Sequence, residues 1–327
     1  MDRRAFAKVE EWTLGGHRIA MATVVSTWKS SPRRAGSVML VRDDGQVFGS
    51  VSGGCVEAAV IDAALASLKS GRHALLEYGP ASPDAVWEVG LSCGGGIRVL
   101  VEPCPAQSPD PSEQKAWRAA SELTGQRVPY VWMSDLSACP VVHSARRLDR
   151  SEPSSDGELE DNEGRLRFDD VREPAERLVI VGGVHIAVPL VAFAKTLGFE
   201  TAVIEPRATF ADPSRFEAAP DEILAEWPEP ALERLAPDAA TYAVAITHDP
   251  KIDDPALVAL LRSDAPYVGV LGSKTTHAER LIRLRALGFD DDRLGRLRGP
   301  VGLAIGAQTP EEIALSIMAE IIQVRRA

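Results

Sequence analysis

The sequence LVIVGGVHIA at residues 178–187 decides the predicted fold of the second half of the chain. Its four leading apolar residues are typical of a strand buried inside a parallel sheet. Two glycines follow, and then a helix-like pattern that ends at Leu197 and Gly198, where glycine supplies a helix stop. A buried strand that leads through a glycine turn into a helix predicts a βαβ unit.

The same alternation of strand and helix continues to the end of the chain. Further strands, each followed by an amphipathic segment, are predicted at residues 201–204, 242–247 and 267–271. Thr309, Pro310 and Glu312 give a capping signal for a last helix. We therefore expect an α/β fold in which residues 177–327 form a Rossmann-like domain with a doubly wound parallel sheet.

The first half of the chain has a different pattern. Short apolar runs at 20–25, 37–41 and 97–101, with helical spacing over 56–68, predict a mixed α+β domain over residues 1–106. Between the two domains the periodicity weakens.

Residues 107–176 are predicted to be a variable, acidic linker region. It contains a candidate helix at 113–123 and candidate strands at 128–133 and 141–142. Residues 149–163 then hold seven acids and one arginine, which is typical of a solvated loop or linker.

Composition excludes several classes of function. The net charge of −11 argues against nucleic acid or an anionic membrane as the main partner. The N-terminus lacks the apolar run of a signal peptide, and no segment approaches the ~20 apolar residues of a membrane span, so we expect a cytoplasmic protein without membrane insertion.

The four cysteines form no Cys-x-x-Cys pair, which disfavours a disulfide framework and a closed zinc site.

Two loops in the first domain place a cysteine among small residues. They read GSVSGGCVE at 49–57 and LSCGGG at 91–96, and carry Cys55 and Cys93. Cys55 is predicted to lie at or beside a helix N-terminus, where unsatisfied amides lower a thiol pKa and favour the thiolate. The alternative is that each cysteine is a small buried apolar residue. We interpret the two loops as one site.

The same loops are rich in backbone amides that suit an anion such as a phosphate. Arg33 lies nearby in the sequence and would add a cation. The alternative is that the glycines form only tight turns. The residues predicted to hold the anion are Ser52, Gly53, Gly54, Gly94 and Gly95.

In the second domain, Gly182 and Gly183 occupy the positions of a dinucleotide-binding turn. Val184 stands in place of the middle glycine that lets a backbone approach a pyrophosphate, which disfavours NAD(P). Glu205 is predicted to end the next strand, and Arg207 to face a 2′-phosphate or another anion, or simply solvent.

Further candidates lie at the predicted carboxyl ends of strands, where α/β sheets bind ligands. Each one alone is compatible with a purely structural role in its loop or helix cap. Because all of them are predicted to lie at the same edge of the sheet, we expect them to form one site. Its residues are His185, His248, Asp249, Ser273 and Lys274.

Several of these blocks together resemble the XdhC/CoxI family, the xanthine dehydrogenase accessory factors. The resemblance covers about two thirds of the chain and fails in the middle region. Its blocks are residues 49–57, 90–95, 182–187, 247–249, 267–273, 302–307 and 309–312.

The resemblance implies a maturation chaperone rather than an enzyme. Such a factor holds the molybdenum cofactor, in its molybdopterin mono- or dinucleotide form, supports its sulfuration by a cysteine desulfurase, and delivers it to a molybdenum hydroxylase such as xanthine dehydrogenase. Cys55 and Cys93 are carried over as cofactor contacts, with Cys55 expected at the molybdenum or its labile sulfur. The resemblance also implies a second binding surface in the Rossmann-like domain, at the edge of the sheet where its strands end.

The sequence departs from the family pattern at Lys29, where glycine is usual, and at Val184, Glu205 and Ala304. Two other functions stay open: an NAD(P)-dependent Rossmann oxidoreductase, and a non-catalytic small-ligand-binding protein. The apolar face of the last helix, with Ile317 at its centre, packs on its own sheet or serves a homodimer.

Overall fold

The structure is a computed structural model that describes residues 1–29, 33–54, 56–79, 95–148, 158–162 and 165–326. It forms two compact units, Met1–Pro174 and Ala175–Ala327. Among the described residues, no helix combines the length and the apolar composition that a membrane crossing needs.

The first unit is a mixed α+β structure with two antiparallel sheets. Its elements are α1 (Arg3–Leu14), β1 (Ile19–Trp28), β2 (Val38–Arg42), β3 (Val47–Gly49), α2 (Glu57–Ser70), β4 (Ala74–Tyr78), β5 (Gly96–Pro103), a 3-10 turn (Pro105–Gln107), α3 (Pro111–Gly125), β6 (Tyr130–Asp135), β7 (Val142–Arg147), β8 (Glu158–Asn162) and β9 (Arg165–Arg172). The first sheet has the strand order β3-β2-β1-β5-β4, and the second has the order β7-β6-β9-β8.

Local sequence accounts for the first sheet and for α2. The Asp-Gly turn joins β2 to β3 as expected, with Gly45 at φ 87°, a conformation that glycine adopts without strain. Helix α2 ends at Gly71, whose φ is 71°. Val60 and Ala64 of α2 are fully buried in a core shared with β1, β2 and β5.

The region 107–176, assigned from sequence to an acidic linker, contributes α3 and the second sheet to the first unit. Trp117 and Trp132 are buried in one core with α1 and β1, and Phe168 is buried with residues of β1 and β5. Long-range packing of these few large residues folds the segment despite its charge. Of the acidic run, residues 158–162 form β8, whereas 149–157 and 163 lie outside the described residues.

The second unit alternates strands and helices throughout. Its elements are β10 (Arg177–Val181), α4 (Ala187–Thr196), β11 (Glu200–Ile204), 3-10 turns (Ala208–Phe210 and Pro213–Arg215), β12 (Glu222–Leu224), α5 (Pro228–Leu235), β13 (Thr241–Ala245), α6 (Pro250–Arg262), β14 (Tyr267–Val270), α7 (Lys274–Ala286), α8 (Asp291–Leu294), β15 (Leu297–Arg298) and α9 (Pro310–Arg326). All of its strand pairs are parallel, in the order β12-β11-β10-β13-β14-β15.

This order confirms the predicted doubly wound Rossmann-like sheet. The chain starts in the middle with β10, adds strands on one side, and then crosses to β13 on the other. The switch point therefore lies between β10 and β13, at the edge where such folds bind ligands. Helices cover both faces, and Ile317 and Ile321 of α9 are fully buried against this unit's own core.

Candidate functional site

Strand register places the ends of β1, β3 and β4 and the start of β5 at one edge of the first sheet. Gly49 at the end of β3 pairs with the second residue of β2, and Trp28 at the end of β1 pairs with Gly96 at the start of β5. Tyr78 at the end of β4 pairs with the second residue of β5. Because neighbouring strands are antiparallel, the chain leaves β1, β3 and β4 at the edge where it enters β5. Cys55, Cys93 and Gly94 lie outside the described residues.

The backbone amides of the loop after β3 converge on one carboxylate. Ser52 N and Gly53 N donate to Glu57 Oε1 at 2.9 Å, and Gly54 N donates to Glu57 Oε2 at 2.8 Å. Val56 N lies 3.3 Å from the same Oε2. The amides predicted to hold an external anion are thus occupied by an internal one. A phosphate at these amides would have to displace the Glu57 carboxylate.

Two hydroxyls complete the shell of Glu57. Ser52 Oγ donates to Oε2 at 2.6 Å, and Ser50 Oγ donates to Oε1 at 2.8 Å. Burial acts to raise the pKa of Glu57, but the hydrogen bonds from the Ser52 hydroxyl and amide, with those of its neighbours, outweigh it and lower the pKa to about 2. Glu57 therefore stays ionised at neutral pH. Glu57 was not among the site residues predicted from the sequence. Its position as an acid at the start of a helix after a glycine loop is the signal that could have indicated it.

Arg33 and Gly95 lie at the same edge. Arg33 Nε donates to the Ser50 carbonyl at 3.3 Å, which brings the predicted cation onto the Glu57 loop. Gly95 is buried and immediately precedes β5. A Cβ on the next residue, Gly96, would collide with the Trp28 indole, so this entry into β5 requires glycine.

In the second unit, the turn after β10 is already filled by the protein. Gly182 adopts φ 115°, and a Cβ there would lie 2.7 Å from Thr247 Cγ2. Gly183 N donates to Glu205 Oε2 at 2.9 Å, and a Cβ on Gly183 would collide with the Phe210 carbonyl. Arg215 Nη1 donates to the Gly183 carbonyl at 2.5 Å. The segment after β11 thus closes over this turn.

Glu205 and Arg207 pair with each other. Arg207 donates from Nε to Oε1 and from Nη2 to Oε2 of Glu205, both at 2.7 Å, a bidentate arrangement. Burial opposes ionisation of Glu205, but Arg207 and the Gly183 amide outweigh it and hold the pKa of Glu205 below its usual value. The Arg207 guanidinium also stacks 4.6 Å from the Phe210 ring centroid.

This pairing changes the expectation for both residues. Glu205 is fully buried, and its two carboxylate oxygens accept hydrogen bonds from Arg207 and from the Gly183 amide. It therefore presents no acceptor to a ribose hydroxyl. Arg207 is directed to Glu205 and not to a 2′-phosphate. With Val184 half-buried against the core, these contacts add to the sequence argument against NAD(P).

The two histidines predicted to lie at the carboxyl edge of the second unit's sheet, His185 and His248, are exposed. His185 precedes α4, and His248 follows β13 with φ 63°. Asp249 caps α6 by accepting a hydrogen bond from Lys251 N at 3.0 Å. Because Gly182 adjoins Thr247, the turns that carry the two histidines come from neighbouring strands at the switch point.

Ser273 and Lys274 begin α7. Ser273 Oγ accepts a hydrogen bond from Thr276 N at 3.1 Å, and Lys274 is exposed. Two buried charged residues that sequence reasoning missed also belong to this edge. Asp253 is 1% exposed and Arg280 is 6% exposed; burial raises the pKa of Asp253. No group of three or more potential metal ligands occurs in the part of the chain that the structure describes.

Comparison with known proteins gives matches in both units. The family model described as the XdhC Rossmann domain matches residues 178–321, and the XdhC and CoxI family model matches residues 12–79. A solved structure of a xanthine dehydrogenase from Bacillus halodurans has a TM-score of 0.76 and 30% sequence identity, covering 100% of this chain and 96% of that one.

Curated relatives match along almost the whole chain. The molybdenum cofactor insertion chaperone PaoD of Escherichia coli (strain K12) is 28% identical over 316 residues, covering 96% of this chain and 86% of PaoD. A Bacillus subtilis (strain 168) protein, named as a probable xanthine dehydrogenase subunit, is 29% identical over 318 residues, covering 94% of this chain and 93% of that protein. The resemblance drawn from the sequence blocks is confirmed, and the chain belongs to the XdhC and CoxI family.

Proposed function

We propose that this protein is a molybdenum cofactor-binding accessory factor with a role in cofactor maturation. It holds the cofactor, supports its sulfuration by a cysteine desulfurase, and delivers it to a molybdenum hydroxylase of the xanthine dehydrogenase type. Support comes from the relatives, one of which is named a molybdenum cofactor insertion chaperone and another a probable xanthine dehydrogenase subunit.

The observation that carries the proposal is the set of bonds on either side of Cys55. The amides of Gly54 and Val56, its two neighbours in the chain, both bond to Glu57 Oε2. The carboxylate thus ties the described residues before and after the proposed thiol contact to the start of α2, and a binding site requires such supporting bonds. Cys55 and Cys93 are the proposed contacts to the cofactor.

The groups at this edge suit the metal end of the cofactor, but the amides of the Glu57 loop do not suit its phosphate. Thiolate sulfur suits molybdenum or its labile sulfur. The amides of Ser52 to Gly54 do not suit the pterin phosphate, because Glu57 holds them. Arg33 and the loop that contains Gly94 and Gly95 remain the proposed phosphate contacts. The cofactor supplies the metal and pterin chemistry; the protein's own part is to hold and release it.

The test is to purify wild type, Cys55→Ala and Cys139→Ala from cells that make the cofactor. Cys139 is an exposed free cysteine and serves as the matched control. Molybdenum content and the fluorescent oxidised pterin are measured in each sample. We expect wild type and Cys139→Ala to retain both, and Cys55→Ala to lose most of both. Equal retention in all three proteins would refute the role of Cys55.

Titration of the same samples with NADH and NADPH distinguishes the proposed accessory factor from an NAD(P)-dependent oxidoreductase. Because Glu205 and Arg207 are paired and the Gly183 turn is closed by Phe210, we expect no saturable binding of NADH or NADPH. A small-ligand-binding protein without this cofactor would show neither molybdenum nor nicotinamide. The three functions therefore give three different results.

A further inference from the structure

In the second unit, α4, α6 and α7 follow the adjacent strands β10, β13 and β14 at the carboxyl edge of the sheet. Two of these three helices begin at positions that the protein's own groups fill. Before α4, the Gly183 amide already donates to Glu205. Before α6, the Asp249 carboxylate accepts from the helix amide of Lys251, and Asp253 lies in the first turn. An anion at either place would meet a carboxylate that holds the same donors.

The third helix, α7, begins differently. Its cap, Ser273, is neutral, and no acid lies in its first turn. Lys274, the first helical residue, is exposed and forms no ion pair with any described residue. The first amides of a helix have no acceptor within the helix, so α7 starts with donors and a cation. Charge alone would not make this a binding site, since many helices begin in this way.

The second observation is a buried arginine on the same helix. Arg280 is only 6% exposed, and its Nε and Nη1 lack a hydrogen-bond partner among the described residues. The nearest carboxylate oxygen paired with it, Asp254 Oδ1, is 3.7 Å from Nε, beyond hydrogen-bond distance. Leaving buried guanidinium donors unsatisfied is costly. Arg280 is thus paired only at a distance with Asp254 through Nε, and its Nη1 has no acceptor among the described residues.

The geometry directs this guanidinium toward the start of α7. Helical side chains lean toward the N-terminus of their helix, and Arg280 is the seventh residue of α7. Its Nη1 lies 3.7 Å from the point where a Cβ of Gly272 would be. Thr276 Cγ2 lies 3.6 Å from that same point, so the exposed Thr276 side chain and the guanidinium border the same position at the start of α7.

The polar groups around this space are complementary to a phosphate. The Ser273 and Thr276 hydroxyls lie 2.9 Å apart on the surface. The two neighbouring acids also contact other groups: Asp253 accepts from the Thr247 hydroxyl at 2.6 Å, and Asp254, whose Oδ1 is paired with Arg280 Nε, has its Oδ2 3.3 Å from Arg283 Nη2. Arg280 Nη1 has no hydrogen-bond partner among the described residues. Phosphate oxygens accept hydrogen bonds from guanidinium, ammonium, hydroxyl and amide donors alike.

We propose that the first turn of α7, from Gly272 to Thr276 with Arg280 behind it, binds the phosphate group of a phosphorylated small molecule. Inorganic phosphate, a nucleotide and a phosphorylated pterin share this chemistry. The site lies in the second unit and uses no cysteine, so it exists whether or not Cys55 holds the molybdenum cofactor. Loss of one binding function would leave the other measurable.

The test is calorimetry on the full chain at constant ionic strength, with inorganic phosphate, CMP, GMP and cytidine as probes. We expect wild type to bind the phosphate-bearing probes at least about tenfold more tightly than cytidine. Arg280→Met should weaken their binding by about tenfold or more. The matched control is Arg285→Met, which changes an arginine of the same helix whose side chain is 54% exposed and which should bind as wild type does.

The probes also distinguish the source of the phosphate. Equal affinity for inorganic phosphate and CMP would assign the site to the phosphate group alone, whereas tighter binding of CMP or GMP would assign it to a nucleotide. Because Arg280 is buried, its replacement is checked by circular dichroism, and Lys274→Met provides a second, exposed variant that should also weaken binding. The proposal is overturned if wild type binds no phosphate-bearing probe, or if folded Arg280→Met and Lys274→Met both bind as tightly as wild type.

Discussion

A buried histidine in the first unit gives a quantitative prediction for the pH dependence of stability. His143 Nδ1 lies 2.6 Å from Glu113 Oε2, and its Nε2 lies 3.2 Å from Glu102 Oε1. Its side chain is 1% exposed and stacks on Trp132 at 4.9 Å. The three charged residues come from β5, α3 and β7, so the cluster joins the two sheets of the unit through α3.

The electrostatics of this cluster fix the sign of the effect. Burial acts to lower the pKa of His143, but attraction to Glu102 and hydrogen bonds to both glutamates outweigh it and raise the pKa from 6.5 to about 9. A group with a raised folded-state pKa contributes stability that is fully present below its unfolded pKa. That stability is lost as the pH rises through the folded value. The loss therefore falls between pH 6.5 and about 9.

The magnitude follows from the shift, since each pKa unit corresponds to about 1.4 kcal/mol. The shift from 6.5 to about 9 thus sets an upper bound of about 3–4 kcal/mol on the stability lost across this pH range. His143→Gln removes the cation between two buried carboxylates. It should cost about 3–5 kcal/mol at neutral pH and abolish most of the pH dependence.

The assay is urea unfolding of wild type, His143→Gln and His17→Gln, followed by tryptophan fluorescence from about pH 6 to about pH 9.5. His17 is a partly exposed histidine of the same unit and serves as the control. We expect the unfolding free energy of the first unit to fall with pH in wild type and in His17→Gln. If His143→Gln shows the same slope as wild type, His143 is not the group whose titration causes the pH dependence.

Two further predictions concern the edge that carries the cysteine loops. Glu57→Gln should weaken the hydrogen bonds from the loop amides and lower molybdenum and pterin retention toward the level of Cys55→Ala. The control Asp62→Asn, which changes another acid on the same helix, should retain both. Unchanged retention in Glu57→Gln would contradict the role of the carboxylate. Since the pKa of Glu57 is about 2, the stability it contributes is present above its unfolded value of 4.5 and declines only as the pH falls toward about 2. Gly96→Ala should destabilise the first unit by about 2 kcal/mol or more through collision with Trp28, whereas Gly125→Ala, which meets nothing within 4 Å, should be close to neutral in thermal unfolding; similar midpoints for the two variants would show that the indole moves aside at little cost.

Much of the second unit follows directly from its sequence. An uninterrupted apolar strand such as 178–181 can be buried only inside a sheet covered on both faces, and the glycine after it permits the sharp turn into α4. Strands, helices and the switch point therefore follow from short-range pattern. The region 107–176 shows the converse, because its charge suggested a linker whereas Trp117, Trp132 and Phe168 bury it in shared cores.

The chemistry of the site was less accessible from the sequence. The glycine loops, the replacement of a middle glycine by Val184, and the family to which the chain belongs were all readable from residue types and their order. The partners of the polar groups were not. Sequence shows an amide-rich loop and an acid near it, but it does not show that Glu57 turns back to fill that loop.

The order of residues is enough to predict the fold class, the family and the positions at which loops meet a sheet edge, since periodicity and turn residues act over a few neighbouring positions. Which charges are satisfied depends on the folded structure. There Glu205 pairs with Arg207 over the turn at Gly183, and Arg280 is buried behind the start of α7, with two guanidinium nitrogens that have no hydrogen-bonded acceptor among the described residues. Hydrogen bonds and desolvation depend on distances between atoms that are far apart in the chain, and the order of residues does not specify those distances.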